Sequence, residues 1–364
     1  MSAIYLTEDD VAWLLDMDSA IDCVEEAFRQ LAFGKAENQP RRRASAKGAT
    51  IHVLAAGAEY LGYVGHKSYV TTRAGARFQF VLSEAEHGQP VALIEANLLG
   101  QMRTGAASGV ATKYMARHDA RVVGCFGTGF QARSQLKAIC SVRRIERVEV
   151  YSRNDERRRA FADEMAEYCN VPTVAVHSPD EAAAEKDIVI CATTSKAPLF
   201  DGHVLDEGTH INAVGSNYLT KAEIDVTTIR RADHVVCDSL EACQLEAGDF
   251  VPAIEDGSLD WPRVHELSDV IVDRETGRAH PEDITLFSEF LLIQFAGPGD
   301  KQEAGGERQR EDDGPKRDNP HLGRHPLEMC FARPIAETSP FPMPDERVFN
   351  LWRASKIMFD LISM

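Results

Sequence analysis

The stretch from Arg121 to Leu136, RVVGCFGTGFQARSQL, constrains the fold more than any other part of the chain. Val122 to Phe126 is an apolar run of the length of one buried strand. Gly127-Thr128-Gly129 follows without a spacer, and Gln131 to Leu136 has helical spacing. Strand, glycine turn and helix N-terminus is the order in which a dinucleotide pyrophosphate is held. Gly127 permits the tight turn. Gly129 has no Cβ, so the backbone can approach a phosphate, and Ala132 takes the third small position, where helix and strand nearly touch. Thr128, Phe130 and Gln131 complete the loop. Its free N–H groups face the phosphates with the helix dipole behind them. A glycine loop alone also fits an ordinary strand–helix connection; the flanking strand and helix favour the nucleotide.

The chain after this turn alternates strand and helix. Strands are predicted at Val148 to Tyr151, Val171 to Val176, Asp187 to Thr193, His210 to Val214 and His234 to Cys237, with helices at Asp155 to Tyr168 and Pro179 to Lys186. This pattern predicts an α/β fold with a doubly wound parallel sheet, with a ligand at the carboxyl ends of its strands. Thr193, Val214 and Gly215 end two of those strands and are candidate cofactor contacts.

The chain before the turn reads differently. Thr7 is a predicted N-cap for a first helix, and a second runs from Met17 or Asp18 to Phe33, closed by Gly34. Between Arg41 and Ile94 short β-rich runs follow (Thr50 to Leu54, Tyr60 to Val70, Arg77 to Leu82, Pro90 to Glu95), separated by turn signals. They predict an antiparallel sheet with a helical layer. Ala96 to Ala116 is a long helical pattern rich in Ala and Gly, whose small residues imply close packing against another element or a second subunit. Gly297 to Pro344 has few aliphatic residues, and Gly305 to Asp318 has the composition of a disordered segment. Arg347 to Ile362 recovers an amphipathic helical pattern.

Bulk properties exclude several classes. The 364 residues are ample for two domains, and a net charge of −17 repels nucleic acid. No apolar run is long enough to span a membrane, and the acidic N-terminus lacks a signal-peptide core. The eight cysteines form no C-x-x-C pair and read as buried thiols of a reducing, cytoplasmic protein. His321 and His325 are four apart, but Pro320 and Gly323 interrupt that segment, so no metal site is expected.

The second strand of the nucleotide-binding half chooses the cofactor. A carboxylate at its tip would bind a ribose hydroxyl and repel a 2′-phosphate. Here the tip is Ser152-Arg153-Asn154, with Arg157 one turn on. A hydroxyl and guanidinium groups bind phosphate, so NADP(H) is favoured over NAD(H); Asp155 or Glu156 leaves NAD(H) open.

Five stretches together resemble the ornithine cyclodeaminase/μ-crystallin family: Gly65-His66-Lys67, Gly100 to Ser108, Gly127 to Ala132, Gly208 to Gly215 and Asp283 to Phe287. They stand in the family's order over about residues 1–290. The resemblance implies a Rossmann-type domain (118–287) inserted in a smaller α+β dimerisation and substrate domain (1–117, completed by part of 288–364); composition makes 297–346 an irregular or disordered segment. It also implies homodimers and NAD(P)-linked chemistry on small amino, imino or keto acids. Carried over by residue, Arg41 resembles the carboxylate-binding arginine, with Arg42 and Arg43 as alternatives. It lies thirteen residues before Leu54, which replaces the family's usual Met. Lys67 resembles the active-site lysine, Arg103 the arginine reaching substrate and cofactor, and Thr104 a phosphate neighbour. Chemistry agrees, since an imino acid needs a fixed cation for its carboxylate and a tunable proton donor at the reacting centre.

One departure is informative. Where cyclising deaminases carry an aspartate after the Ala-Val-Gly turn, this chain has Asn217, which hydrogen-bonds but takes no proton. The expected activity is therefore NAD(P)H-dependent reduction of a small imino acid, or the reverse dehydrogenation, with Asn217 orienting substrate or nicotinamide. Deamination of the cyclodeaminase type and a non-catalytic, crystallin-like NADPH-binding role are the alternatives. The segment after Phe287 also departs from the Gly-containing helix that the family uses to complete the site.

Overall fold

A computed structural model of the chain describes residues 3–216 and 218–289. Asn217, the irregular segment expected at 297–346, the helix expected at 347–362 and the pair His321 and His325 lie outside them.

The first sheet takes strands β1 (Ile4–Leu6), β2 (Ala36–Asn38), β3 (Arg42–Ala46), β4 (Ala49–Ala58), β5 (Tyr63–Thr72), β6 (Gly75–Glu84) and β7 (Pro90–Glu95). Their order is β1-β7-β6-β5-β4-β2, with β3 on β4. The long strands are antiparallel, as alternation predicts, and β1 is parallel to β7. Leu54, Tyr69, Phe78, Phe80 and Leu82 are buried, whereas Ile51, Val64 and Val70 are exposed. Helices α1 (Glu8–Leu14) and α2 (Met17–Ala32) cover the inner face. Thr7 caps α1 in a capping box with Asp10, and Ile21, Val24 and Phe28 form the buried stripe of α2. The three short strands carry no alternation that a sequence reading detects; β3, RRASA, is exposed throughout.

The second sheet is wholly parallel. Its strands are β8 (Val122–Phe126), β9 (Arg147–Tyr151), β10 (Thr173–Ala175), β11 (Ile188–Cys191), β12 (His210–Ala213), β13 (His234–Cys237), β14 (Val264–Glu266) and β15 (Thr285–Ser288). The order is β10-β9-β8-β11-β12-β15-β13-β14, so β15 is inserted between β12 and β13. The Asp283 motif serves this insertion. Its carboxylate accepts the backbone N–H groups of Ala279 and His280, each at 2.8 Å, and fixes the turn before β15. Phe126, Ile211, Leu286 and Phe287 are fully buried between the helical layers.

One helix joins the sheets. It is α3 (Asn97–Met115), and fourteen of its residues are buried, which explains its lack of a polar face. Its small residues serve close contacts within the chain. A Cβ on Gly105 would stand 2.4 Å from the Ser134 carbonyl oxygen of α4 (Phe130–Val142), and one on Gly109 would stand 3.1 Å from Ala138. The neighbours at these two glycines are therefore α4 and α2 rather than a second subunit. Arg143 caps the far end of α3, donating to the carbonyls of Thr112, Lys113 and Ala116. Among the described cysteines Cys125, Cys191, Cys237 and Cys243 are buried. Cys23, Cys140 and Cys169 are half-buried, more open than expected. Among the described residues no helix is long and apolar enough to cross a membrane.

Candidate active site

The glycine turn is built as its sequence requires, but its two glycines do different things. Gly127 has φ +106°, and its N–H donates to the Tyr151 carbonyl at 3.0 Å. A Cβ there would stand 2.3 Å from the Ala192 carbonyl oxygen. Gly129 is the N-cap of α4 in extended conformation, with nothing among the described residues within 4 Å of its Cβ position. That open cradle before a thirteen-residue helix fits a pyrophosphate. Thr128 is half-buried, and Ala132 is fully buried against the sheet.

Helix α3 ties this turn to the first sheet. The Gln101 side chain donates to the Phe130 carbonyl, and Gln135 of α4 donates to the Thr104 carbonyl at 3.2 Å. Gln131 is buried beside Ser134, whose hydroxyl donates to the Gln131 carbonyl at 3.0 Å. The Gly100 to Ser108 motif and the glycine-turn motif are thus two sides of one helix contact. Thr104 itself is buried, its hydroxyl donating to Gly100 at 2.7 Å.

Lys67 lies on β5, 3% exposed, opposite Leu54 of β4 and Phe80 of β6. Its Nζ would stand 3.1 Å from a Cβ on Gly100, so that glycine makes room for the amine. Gly65 leaves space for the Phe80 ring, which a Cβ would meet at 2.8 Å. Lys67, Arg103, Leu54, Ala56, Gly65 and Phe80 line one small cavity. Burial, then the charges of Arg103 and Arg41, hold the Lys67 ammonium well below the usual lysine range, while Glu289 opposes them. Burial also lowers Arg103 to about 10 against the pull of Glu289 and Asp238. Its Nε is buried with no hydrogen-bond partner among the described residues.

The run Arg41-Arg42-Arg43 divides by strand geometry. Arg43 is in register with His52 and Arg42 with Val53, so Arg42 turns to the other face and is exposed. Arg41 is buried, and Arg41 and Arg43 share Glu246, the last residue of a helix on the second sheet.

At the strand ends Glu223 engages the backbone of two of the three candidate cofactor contacts. It accepts the N–H groups of Thr193 and Gly215, each at 2.5 Å. Its carboxylate fills the Cβ space of Gly215, and Val214 donates to Cys191 at 2.9 Å. Thr193 and Gly215 therefore line the strand ends with their amides already satisfied. Burial, then Asp249, pushes Glu223 up to about 8. Its folded value exceeds its unfolded one, so its contribution to stability is full below about 4.5 and lost as pH rises through about 8.

The tip of β9 carries Ser152, whose hydroxyl donates to the Asn154 carbonyl at 3.2 Å. Arg153 and Arg157 are exposed there. Asp155 is engaged by Arg158 at 2.5 Å and Arg159 at 2.9 Å. Arg158 also donates to the Ser152 carbonyl at 2.8 Å and lies over the Tyr151 ring. Sequence reading missed Arg158, Glu223, Glu246 and Glu289, none of which belongs to a spaced motif.

The family model described as the ornithine cyclodeaminase/mu-crystallin family matches residues 1–292. A Delta(1)-pyrroline-2-carboxylate reductase of Bacillus cereus is 40% identical over 208 residues, 57% of this chain and 64% of that protein. The fold resembles that of the Thermococcus litoralis Delta(1)-pyrroline-2-carboxylate reductase in complex with NADH and L-proline (TM-score 0.76, 34% identity, 79% of this chain and 92% of that one). It also resembles an archaeal alanine dehydrogenase dimer with bound NAD (TM-score 0.75, 31% identity, 80% and 92%).

Proposed function

The chain belongs to the ornithine cyclodeaminase/mu-crystallin family, and from that premise we propose that it is an NAD(P)(H)-dependent oxidoreductase interconverting a small α-imino acid and its amino acid. The observation that carries this reading is the placement of Lys67, a buried amine of lowered basicity, in one cavity with Arg103. Arg41 and Arg103 hold the substrate carboxylate through charge-assisted hydrogen bonds. Lys67 gives a proton to the imine nitrogen, or takes one from the amine in reverse. Asn217 orients the substrate. Gly127, Thr128, Gly129, Phe130, Gln131 and Ala132 cradle the cofactor, with Thr104, Thr193, Val214 and Gly215 around it. When bound, the nicotinamide supplies a hydride to the α-carbon or accepts one from it.

Deamination of the cyclodeaminase type is disfavoured, because Asn217 cannot activate water. The test is oxidation of NADPH and NADH with a panel of cyclic and linear imino acids, including keto acids with ammonia. Turnover with at least one member is expected. Tight cofactor binding with no oxidation on any of them would favour the crystallin-like binding role.

NADP(H) is the preferred cofactor in this reading. Asp155, the acid otherwise placed to bind a ribose, is held by Arg158 and Arg159, and Arg153 and Arg157 stand exposed at the strand tip. Arg153→Ala is expected to lower the preference for NADPH over NADH by about tenfold or more, the worth of one charged hydrogen bond. Equal discrimination before and after the substitution would reject the assignment. The same reading takes residues 1–117 as a substrate and dimerisation unit and 118–287 as the NAD(P)-binding unit of a cytoplasmic homodimer. The exposed Ile51, Val64 and Val70 offer an apolar sheet face for the second copy.

A further inference from the structure

Arg41 is not held by its own sheet alone. Glu246, at the end of the helix Leu240–Glu246, lies between Arg41 at 3.1 Å and Arg43 at 2.6 Å. The Arg41 side chain is 1% exposed and that of Glu246 is 6%. Arg43 and Glu246 are 203 residues apart, so the contact joins the edge of the first sheet to a helix of the second. Arg43 also lies over the Tyr218 ring at 5.1 Å. The neighbouring His52 adds no charge, because burial and the two arginines push it down to about 4.

Resting on the reductase reading above, we propose that Glu246 sets the charge of the substrate's side chain: the site takes imino acids with one carboxylate and an uncharged side chain, and rejects dicarboxylic ones. One carboxylate needs the guanidinium groups of Arg103 and Arg41. A second carboxylate would need Arg43, whose charge Glu246 already meets. Placed near Arg43, it would stand beside the buried carboxylate of Glu246, and like charges repel. Besides Lys67 and Arg103 the cavity is lined by Asn38, Gln39, Leu54, Ala56, Gly65 and Phe80, which supply amides but no further cation for a distal carboxylate.

The test uses the full chain with reduced cofactor. Delta(1)-pyrroline-2-carboxylate and pyruvate with ammonia are compared with oxaloacetate and ammonia, which form the dicarboxylic imine. Wild type is expected to prefer the monocarboxylates by about 100-fold or more in kcat/KM. Glu246→Gln keeps the shape and removes the charge. It is expected to cut that preference at least about tenfold, mainly through the KM of the dicarboxylate. A second readout does not depend on turnover: stabilisation against thermal unfolding by L-proline or L-alanine relative to L-aspartate, with oxidised cofactor present. If no substrate is reduced, the reductase reading fails, while the ligand comparison still judges Glu246. Wild type that accepts the dicarboxylate equally, or a Glu246→Gln protein with an unchanged ratio in both readouts, would overturn the proposal.

Discussion

Lys67→Ala is expected to lower turnover about 10²- to 10⁴-fold, the usual worth of a positioned acid or base, while NADPH still binds. The reasoning starts from burial. An ammonium enclosed beside Arg103 and Arg41 loses hydration and gains like-charge repulsion, so its proton is held loosely. A loosely held proton is what transfer to an imine nitrogen requires. The pH dependence has a sign. Reduction uses the ammonium, so its rate falls as pH rises through the lowered Lys67 value; oxidation uses the neutral amine, so its rate rises through the same value. Cofactor binding, followed by fluorescence of the reduced cofactor, is expected to persist, because no residue of the glycine turn lines the cavity that holds Lys67. Turnover within about threefold of wild type would remove Lys67 from proton transfer.

The second large effect separates the two glycines of the turn. Gly127→Ala forces a Cβ residue to φ +106° and drives that atom to 2.3 Å from the Ala192 carbonyl oxygen. The backbone strain and the overlap together cost about 2–5 kcal/mol. At about 2–4 °C per kcal/mol the unfolding temperature falls by about 4–20 °C. Gly129→Ala meets neither penalty, since its φ is −86° and its Cβ position is open. Its unfolding temperature is expected to match wild type, while the added methyl enters the phosphate cradle and weakens NAD(P)H binding about tenfold or more. Melting curves and cofactor titrations on the two variants decide this. A Gly127→Ala protein that melts with wild type would contradict the strain argument. A Gly129→Ala protein that binds cofactor normally would move the phosphate away from this turn.

Much of this architecture is local and therefore readable. The strand Val122–Phe126, the glycine turn and its helix follow from a few consecutive residues, and alternation across 122–237 predicts a parallel sheet. Lys67, Arg103 and Thr104 stand in motifs whose glycines have steric reasons: Gly100 clears the Lys67 amine and Gly65 the Phe80 ring. The limits are also physical. Strand β3 has no apolar alternation, because it pairs at an edge and buries little, so the division of labour within Arg41-Arg42-Arg43 was closed to a linear reading. Its register on β4 separates Arg42 from the other two. Glu223, Glu246 and Glu289 carry no motif, and an isolated glutamate reads as surface charge. Their burial depends on partners far along the chain, in the case of Glu246 more than 200 residues away. Sequence alone thus determined the glycine turn, the parallel sheet and the candidate cationic residues, because each is encoded by neighbours in the chain. The tertiary structure decided which arginines face the site, which carboxylates answer them and which glycine leaves room for a ligand. Those properties arise only where two sheets and one buried helix meet.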